Sequence, residues 1–362
     1  MGGALRGLPE ALRLANLALP MSVQRFLFLL SFLLLGAVGF SGADLDRSGL
    51  QAAASYSASR RGFSLLVIQH GKTIFSDYQN GTSAGDPHKI YSGTKGFWVL
   101  AALAAEEDGI LKLDEAVAAT IPEWRTEPRR AQVTIRNLLT LTSGLDEAAY
   151  LHSDSVADRN GAALGVAMVA APGERFIYGP APLQVFGELL KRKLAPRGLT
   201  PTAYLERRVL RPLGLGAQTY KKDRAGNPLL ASGFLLTAEQ WARMGRLILG
   251  QGSPVVGPHA LAQCLRGTSA NPAFGMGFWN NRAASQSGAR EFDIEDMLER
   301  KWPQQDWRAT CLCRAAPADL VASVGSGYQR LFVIPSLDLI VVRQGLDARF
   351  SDGEFLRLLL GR

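Results

Sequence analysis

The chain has 362 residues, 47% hydrophobic and 20% charged, which is enough apolar side chain for a large core and excludes a disordered chain or a small disulfide-stapled scaffold. Lys and Arg total 40 against 32 Asp and Glu, a formal charge of +8. The longest basic run is Lys191-Arg192-Lys193 and no aromatic–basic interleaving occurs, so the charge reads as a solvated surface and nucleic acid is not an expected partner. Composition and length fit a globular mixed α/β protein of one large domain or two closely joined lobes.

At the N-terminus, residues 26–40 read FLFLLSFLLLGAVGF after Arg25, and Ser41-Gly42-Ala43 places small residues at −3 and −1 of a cut after Ala43. That is the layout of a secretory signal peptide, and the apolar core is shorter than the ~20 residues of a spanning helix. Met21 is the more natural start of such a peptide. The expected location is therefore periplasmic or secreted. The alternative is an uncleaved inner-membrane anchor with Arg6, Arg13 and Arg25 on the cytoplasmic side, the only case in which the membrane is a partner. Residues 1–43 form an N-terminal extension, and residues 44–362 are expected to form the working domain.

In that domain, 64–69 (SLLVIQ) and 73–78 (TIFSDY) predict strands joined at His70-Gly71-Lys72. A helix is expected from 92 to 107, stopped by Asp108-Gly109. From 110 to about 250 the pattern is mostly helical. Helices are predicted through IRNLLTLTSGL after Val133-Thr134, over 182–194, over 201–211, and over 237–250 with Thr237 as N-cap. Residues 330–334 and 338–343 flank Pro335-Ser336-Leu337 as a second hairpin, and Ser351 with Glu354 predicts a capping box on the last helix. Strands at both ends with helices between predict an α+β (α/β sandwich) fold: a mostly antiparallel sheet flanked by helices, about 44–105 and 235–362, with an all-helical lobe inserted at about 106–234.

The cysteines are Cys264, Cys311 and Cys313, and the histidines are scattered at 70, 88, 152 and 259. No CxxC or HExxH spacing occurs, so no metal or other cofactor is expected. Cys264 paired with Cys311 or Cys313, or three buried thiols, are both open. The polar stretch 281–318, with Trp302 and Trp307, is either a lid over a cleft or a surface excursion pinned by its Trp rings.

The chemistry centres on Ser92-Gly93-Thr94-Lys95. Three residues apart on a helix, Ser92 and Lys95 share a face. A serine hydroxyl becomes a nucleophile when a neighbouring base takes its proton, and a helix N-terminus favours a developing oxyanion.

SGTK, followed by GILKLDE, PEW, VTIRNLLTLTSGL, YGP, RPLGLG, ASGFLLTAEQWARMGRLILGQG, FGMGFW and SVGSGYQRLFVIPSLDLIVV, resembles the serine β-lactamase and penicillin-recognising hydrolases, nearest the class C branch and its esterase relatives. The resemblance spans about residues 60–345 and implies a β-lactamase/transpeptidase-like fold with its active site between sheet and helical lobe. It implies that Tyr178 of Tyr178-Gly179-Pro180 shuttles protons between Ser92, Lys95 and the leaving group. The family's Tyr-x-Asn has lost its Asn here, and with it an amide contact to the substrate's acyl side chain. The third motif aligns with Ser323-Val324-Gly325, so the backbone N–H of Ser326, with that of Ser92, is the implied oxyanion hole. Ser323 replaces a cation that would recognise a substrate carboxylate, a charge-assisted bond of ~1.5–3 kcal/mol. Arg330 and Arg343 are the candidates to compensate. The expected function is a serine hydrolase of carboxylic esters or small amides, with weak or no β-lactamase activity. The alternatives are a D-Ala peptidase or β-lactamase, and a catalytically silent penicillin-binding-like scaffold.

Overall fold

The computed structural model describes residues 44–346 and 349–362. The apolar run at 26–40, the start at Met21 and the cut after Ala43 lie outside the described residues. Among the described residues, no helix is long and apolar enough to cross a membrane.

The centre is a six-stranded antiparallel sheet. We label its strands β1 (Gly62–Gln69), β2 (Lys72–Tyr78), β3 (Trp279–Asn280), β4 (Val321–Gly325), β5 (Gln329–Ile334) and β6 (Leu339–Gly345). Their spatial order is β2-β1-β6-β5-β4-β3, so the first and last strands of the described residues pair side by side as β1 and β6. His70 and Gly71 have φ of 50° and 71°, the pair of left-handed residues that a two-residue hairpin turn needs to follow the strand twist.

The apolar run SLLVIQ is continuous because the sheet is covered on both faces. Leu65 and Val67 pack with helices α1 (Arg47–Ser59) and α5 (Asp352–Leu360) at the two ends of the described chain. Leu66 and Ile68 pack on the other face with helices α2 (Thr94–Glu107) and α4 (Ala238–Leu249). Helix α2 is buried along its whole length from Thr94 to Ala105, consistent with its apolar sequence. Helix α3 (Ala181–Leu194) belongs to the same cluster as α2, and residues 108–234 contribute no strand to the six-stranded sheet.

Most predicted elements are present, and three differ. The helix expected through 135–145 ends at Leu139. Thr140 Oγ1 bonds back to the Arg136 carbonyl at 2.8 Å and to Thr142 Oγ1 at 2.9 Å, and Leu141 turns to φ 58°. Hydroxyl side chains compete here with the helical ladder. The segment 201–211 is an α turn (Pro201–Leu205) that widens into a π turn (Glu206–Leu210). At α5, Ser351 Oγ accepts from the Glu354 N–H at 3.3 Å, but the Ser351 N–H donates to the Tyr56 hydroxyl at 2.9 Å, which replaces the reciprocal half of a capping box. Helix α1, begun by the Asp46 carboxylate accepting from the Ser48 N–H at 3.1 Å, was not predicted.

The three cysteines are free and buried. The stretch 281–318 forms a short parallel pair, Arg290–Glu291 with Thr310–Cys311, and a polar pin holds its base. The buried Asn281 amide donates to the carbonyls of Cys313, Ala316 and Pro317 at 2.9, 3.1 and 3.0 Å, while its oxygen accepts from Leu312 and Cys313. Trp307 is 4% exposed among Phe176, Trp279 and Phe292. The base of the excursion is thus pinned by the Trp307 ring and by Asn281, while Trp302 is only partly buried.

Candidate active site

The short 3-10 turn Tyr91–Gly93 carries Ser92 and runs straight into α2, which carries Lys95 in its first turn. Tyr91 has φ 43°, a left-handed backbone that costs a non-glycine residue about 1–3 kcal/mol and that the surroundings must enforce. They do so from several sides. The Ile90 N–H donates to the Phe234 carbonyl at 3.0 Å, and the Phe234 N–H returns a bond to Thr94 Oγ1 at 3.2 Å. Strand β4 presses on the same turn: a Cβ on Gly325 would sit 2.0 Å from the Ile90 carbonyl oxygen, so only glycine allows this approach.

Lys95 is 3% exposed, and its Nζ makes three bonds: 2.7 Å to Ser92 Oγ, 3.1 Å to the Tyr178 hydroxyl and 3.2 Å to the Ala231 carbonyl. All three partners of this amine are oxygens. Tyr178 comes from the loop just before α3. Its ring rests against Phe176, Phe274 and Trp279, which fixes the direction of its hydroxyl. Ala231 is held in turn by Gln184 of α3, whose side chain donates to the Pro228 carbonyl at 2.8 Å and accepts from the Leu230 N–H at 3.4 Å. The sequence brought 92 and 95 together by helical spacing. Only the fold brings in 178 and 231.

These groups line a cleft of about 400 Å³, together with Glu147, His152 and Ser326. A larger hollow of about 760 Å³ lies between α1 and the first hairpin, but its lining holds no Ser–Lys pair. Ser326 lines the cleft with Ser92, and Gly325 packs against the Ile90 carbonyl. Ser323 does not line the cleft: it is 1% exposed within β4, and its hydroxyl has no hydrogen-bond partner.

Arg330 and Arg343 do not compensate for the missing cation, which corrects that expectation. Arg330 pairs in register with Val324, whose side chain packs on the α1/α5 face, so it points away from the cleft. There it donates to Asp352 at 2.7 Å, Glu295 at 3.2 Å and the Gly325 carbonyl at 3.1 Å. Arg343, opposite Arg330 on β6, donates to the carbonyls of Arg60 and Tyr328 at 2.7 and 2.8 Å and stacks on Phe350. Burial and the neighbouring Arg330 disfavour its charge.

Two cleft residues were missed in the sequence. Desolvation of its ring against the wall, then the charges of Lys95, Lys221 and Arg159, push His152 down to about 4, although the residue keeps a solvent-exposed edge. It is a neutral imidazole at pH 7. Glu147 is half-buried, and burial followed by the charge of Asp146 raises its pKa, while the nearby Trp302 backbone N–H favours its ionised form. A lone Glu or His in a loop carries no periodic or spacing signal that would have singled it out.

Comparison with known proteins is consistent with this geometry. The chain is 32% identical over 162 residues to monacolin J acid methylbutanoyltransferase of Aspergillus terreus, covering 37% of this chain and 38% of that protein. It is 25% identical over 191 residues to Protein flp of Staphylococcus aureus (strain MW2), covering 48% of this chain and 38% of that protein. It therefore spans less than two-fifths of the length of these relatives. The structure of a class C β-lactamase from Rhodobacter sphaeroides superposes with a TM-score of 0.62 at 20% identity, over 87% of this chain and 99% of that one, which shows a shared fold. The family model described as Beta-lactamase matches residues 48–332, from α1 to β5 and across every group of the cleft, and the chain belongs to the β-lactamase family of serine hydrolases.

Proposed function

We propose that this protein forms an acyl-enzyme on Ser92 and hydrolyses carboxylic esters or small amides. The observation that carries the reading is the single amine of Lys95, bonded at once to Ser92 Oγ at 2.7 Å and to the Tyr178 oxygen at 3.1 Å within one cleft. As Oγ bonds to the substrate carbonyl carbon, its proton passes to the Lys95–Tyr178 pair, which accepts it in the form that holds one proton fewer than an ammonium plus a phenol. The oxyanion of the tetrahedral adduct accepts from the backbone N–H groups of Ser92 and Ser326. Its collapse breaks the bond to the leaving oxygen or nitrogen, which takes the proton back. Water then adds to the acyl carbon, gives a proton to the same pair, and Ser92 departs with it, leaving a carboxylic acid.

A buried, uncharged Ser323 argues against β-lactams and D-Ala peptides as good substrates, since it offers their carboxylate no cation, and Pro180 offers no amide to their acyl side chain. A silent scaffold has no physical need to keep Ser92, Lys95 and Tyr178 in mutual contact. The likeness to monacolin J acid methylbutanoyltransferase favours a second reading, in which an alcohol replaces water as acyl acceptor. The leader-like segment before residue 44 supports a periplasmic or secreted location.

The test is parallel incubation of the protein with p-nitrophenyl esters, nitrocefin and a D-Ala-D-Ala peptide, and labelling with a fluorophosphonate. Ester turnover and label, both lost in Ser92→Ala, are expected. No label on the wild type, or equal turnover by Ser92→Ala, overturns the reading. Nitrocefin turnover exceeding ester turnover overturns the substrate preference.

A further inference from the structure

Resting on that reading, we propose that Glu147 is the charge selector of the cleft: it binds a cationic group, such as an ammonium, on the acyl side of the substrate and disfavours an anionic one. Several observations converge. Glu147 lines the same cleft as Ser92. Its position is set tightly, since a Cβ on Gly179, next to Tyr178, would lie 2.1 Å from the Glu147 carbonyl oxygen and 2.7 Å from its Cα. The residue is therefore seated directly against the backbone that delivers the Tyr178 hydroxyl to Lys95.

The carboxylate has no cation to satisfy it. The Trp302 backbone N–H is near enough to favour its ionised form, and the charge beside it is another acid, Asp146. The cations that act on the cleft are bonded to other groups. Lys95 Nζ contacts Ser92, Tyr178 and Ala231, Lys221 bonds Asp154 and the His152 carbonyl, Arg159 bonds the Leu151 and Ser153 carbonyls, and Arg330 and Arg343 lie on the far face of the sheet with acceptors of their own. His152, the imidazole of the wall, is neutral at pH 7. Tyr91, 36% exposed, lines the same cleft as Glu147. An exposed aromatic side chain in a cleft that also holds a carboxylate suits an organic cation and not an anion. At the third-motif position that would oppose this preference, β4 offers the buried, uncharged Ser323.

The experiment compares kcat/KM for three p-nitrophenyl esters with one leaving group and acyl chains of equal length ending in trimethylammonium, tert-butyl or carboxylate. In the wild type, the cationic ester is expected to exceed its neutral isostere and the anionic ester to fall below it. Glu147→Gln is expected to cut the cation-to-neutral ratio about tenfold, the size of one charge-assisted contact at a half-exposed site, and Glu147→Lys is expected to reverse the order. Thermal midpoints of the variants check folding. A wild type indifferent to acyl charge, or a ratio unmoved by both substitutions, overturns the proposal while Ser92-dependent ester turnover leaves the hydrolase reading standing. If none of the three esters is turned over, the hydrolase reading fails by itself. Binding of the matching carboxamides, read by NMR line broadening, then still decides the role of Glu147, and equal binding of all three overturns it.

Discussion

Gly325→Ala tests the most demanding contact in the structure. The added Cβ would lie 2.0 Å from the Ile90 oxygen and 2.9 Å from the Ile90 carbonyl carbon, both backbone atoms that cannot swing away like a side chain. A comfortable carbon–oxygen contact is roughly 3.3–3.6 Å, so β4 and the nucleophile turn must separate by about 1 Å. That shift falls between Ser92, which follows Ile90 by two residues, and Ser326, which follows Gly325. A misplacement of about 1 Å costs on the order of 10²-fold in rate, and overpacking of this kind costs about 1–3 kcal/mol in stability. The assay is kcat/KM for p-nitrophenyl acetate, normalised to the fraction folded from urea unfolding under the same conditions. A variant that folds and retains kcat/KM within threefold of the wild type would refute the close approach and the oxyanion geometry built on it.

Lys95→Met removes the amine and keeps an unbranched apolar stem, so activity should fall about 10³-fold while stability changes by less than about 2 kcal/mol, because a buried polar group is replaced by apolar surface; more than a tenth of wild-type activity would remove Lys95 from the mechanism. Asp352→Ala leaves Arg330 buried with only Glu295 as a carboxylate partner and should cost about 3 kcal/mol in urea unfolding. Because Arg330 also holds the Gly325 carbonyl, activity should drop in the folded fraction, and a loss under about 1 kcal/mol would show the pair to be idle. Asp293 is raised from 3.8 to about 6, first by burial and then by the charge of Asp352. An acid whose folded pKa is raised destabilises the fold when ionised, so the penalty is absent below pH 3.8 and complete above about pH 6. Asp293→Asn keeps an N-cap oxygen for the helix Ile294–Glu299 and should stabilise the protein by about 1–2 kcal/mol at pH 7.5 but not at pH 3.5, as measured by denaturant unfolding; an equal gain at both pH values would exclude titration as the cause.

Much of the fold could be read locally. The His70-Gly71 turn, the apolar length of α2 and the Thr237 cap of α4 are properties of a few adjacent residues, and the structure has all three. Where the reading failed, a distant partner decided. Ser351 has a capping-box sequence, but its N–H goes to Tyr56, 295 residues away. The helix expected beyond Leu139 stops where the Leu141 carbonyl turns to accept the Ile177 N–H at 2.9 Å, which ties that loop to the segment carrying Tyr178.

The candidate site divides along the same line. Ser92 and Lys95 lie one helical turn apart, so their meeting is fixed by backbone periodicity alone. The contact of Lys95 with Tyr178 spans 83 residues and that with Ala231 spans 136, and no local pattern encodes either. Arg330 and Arg343 show the limit most clearly. As a sequence they are two cations near a motif that lacks one, but strand alternation and register send both side chains through the sheet to the opposite face. Composition and periodicity determined which segments become strands and helices and which serine sits at a helix start. Packing across the sheet decided which charges face the substrate, because burial and partner choice depend on atoms brought together from distant parts of the chain.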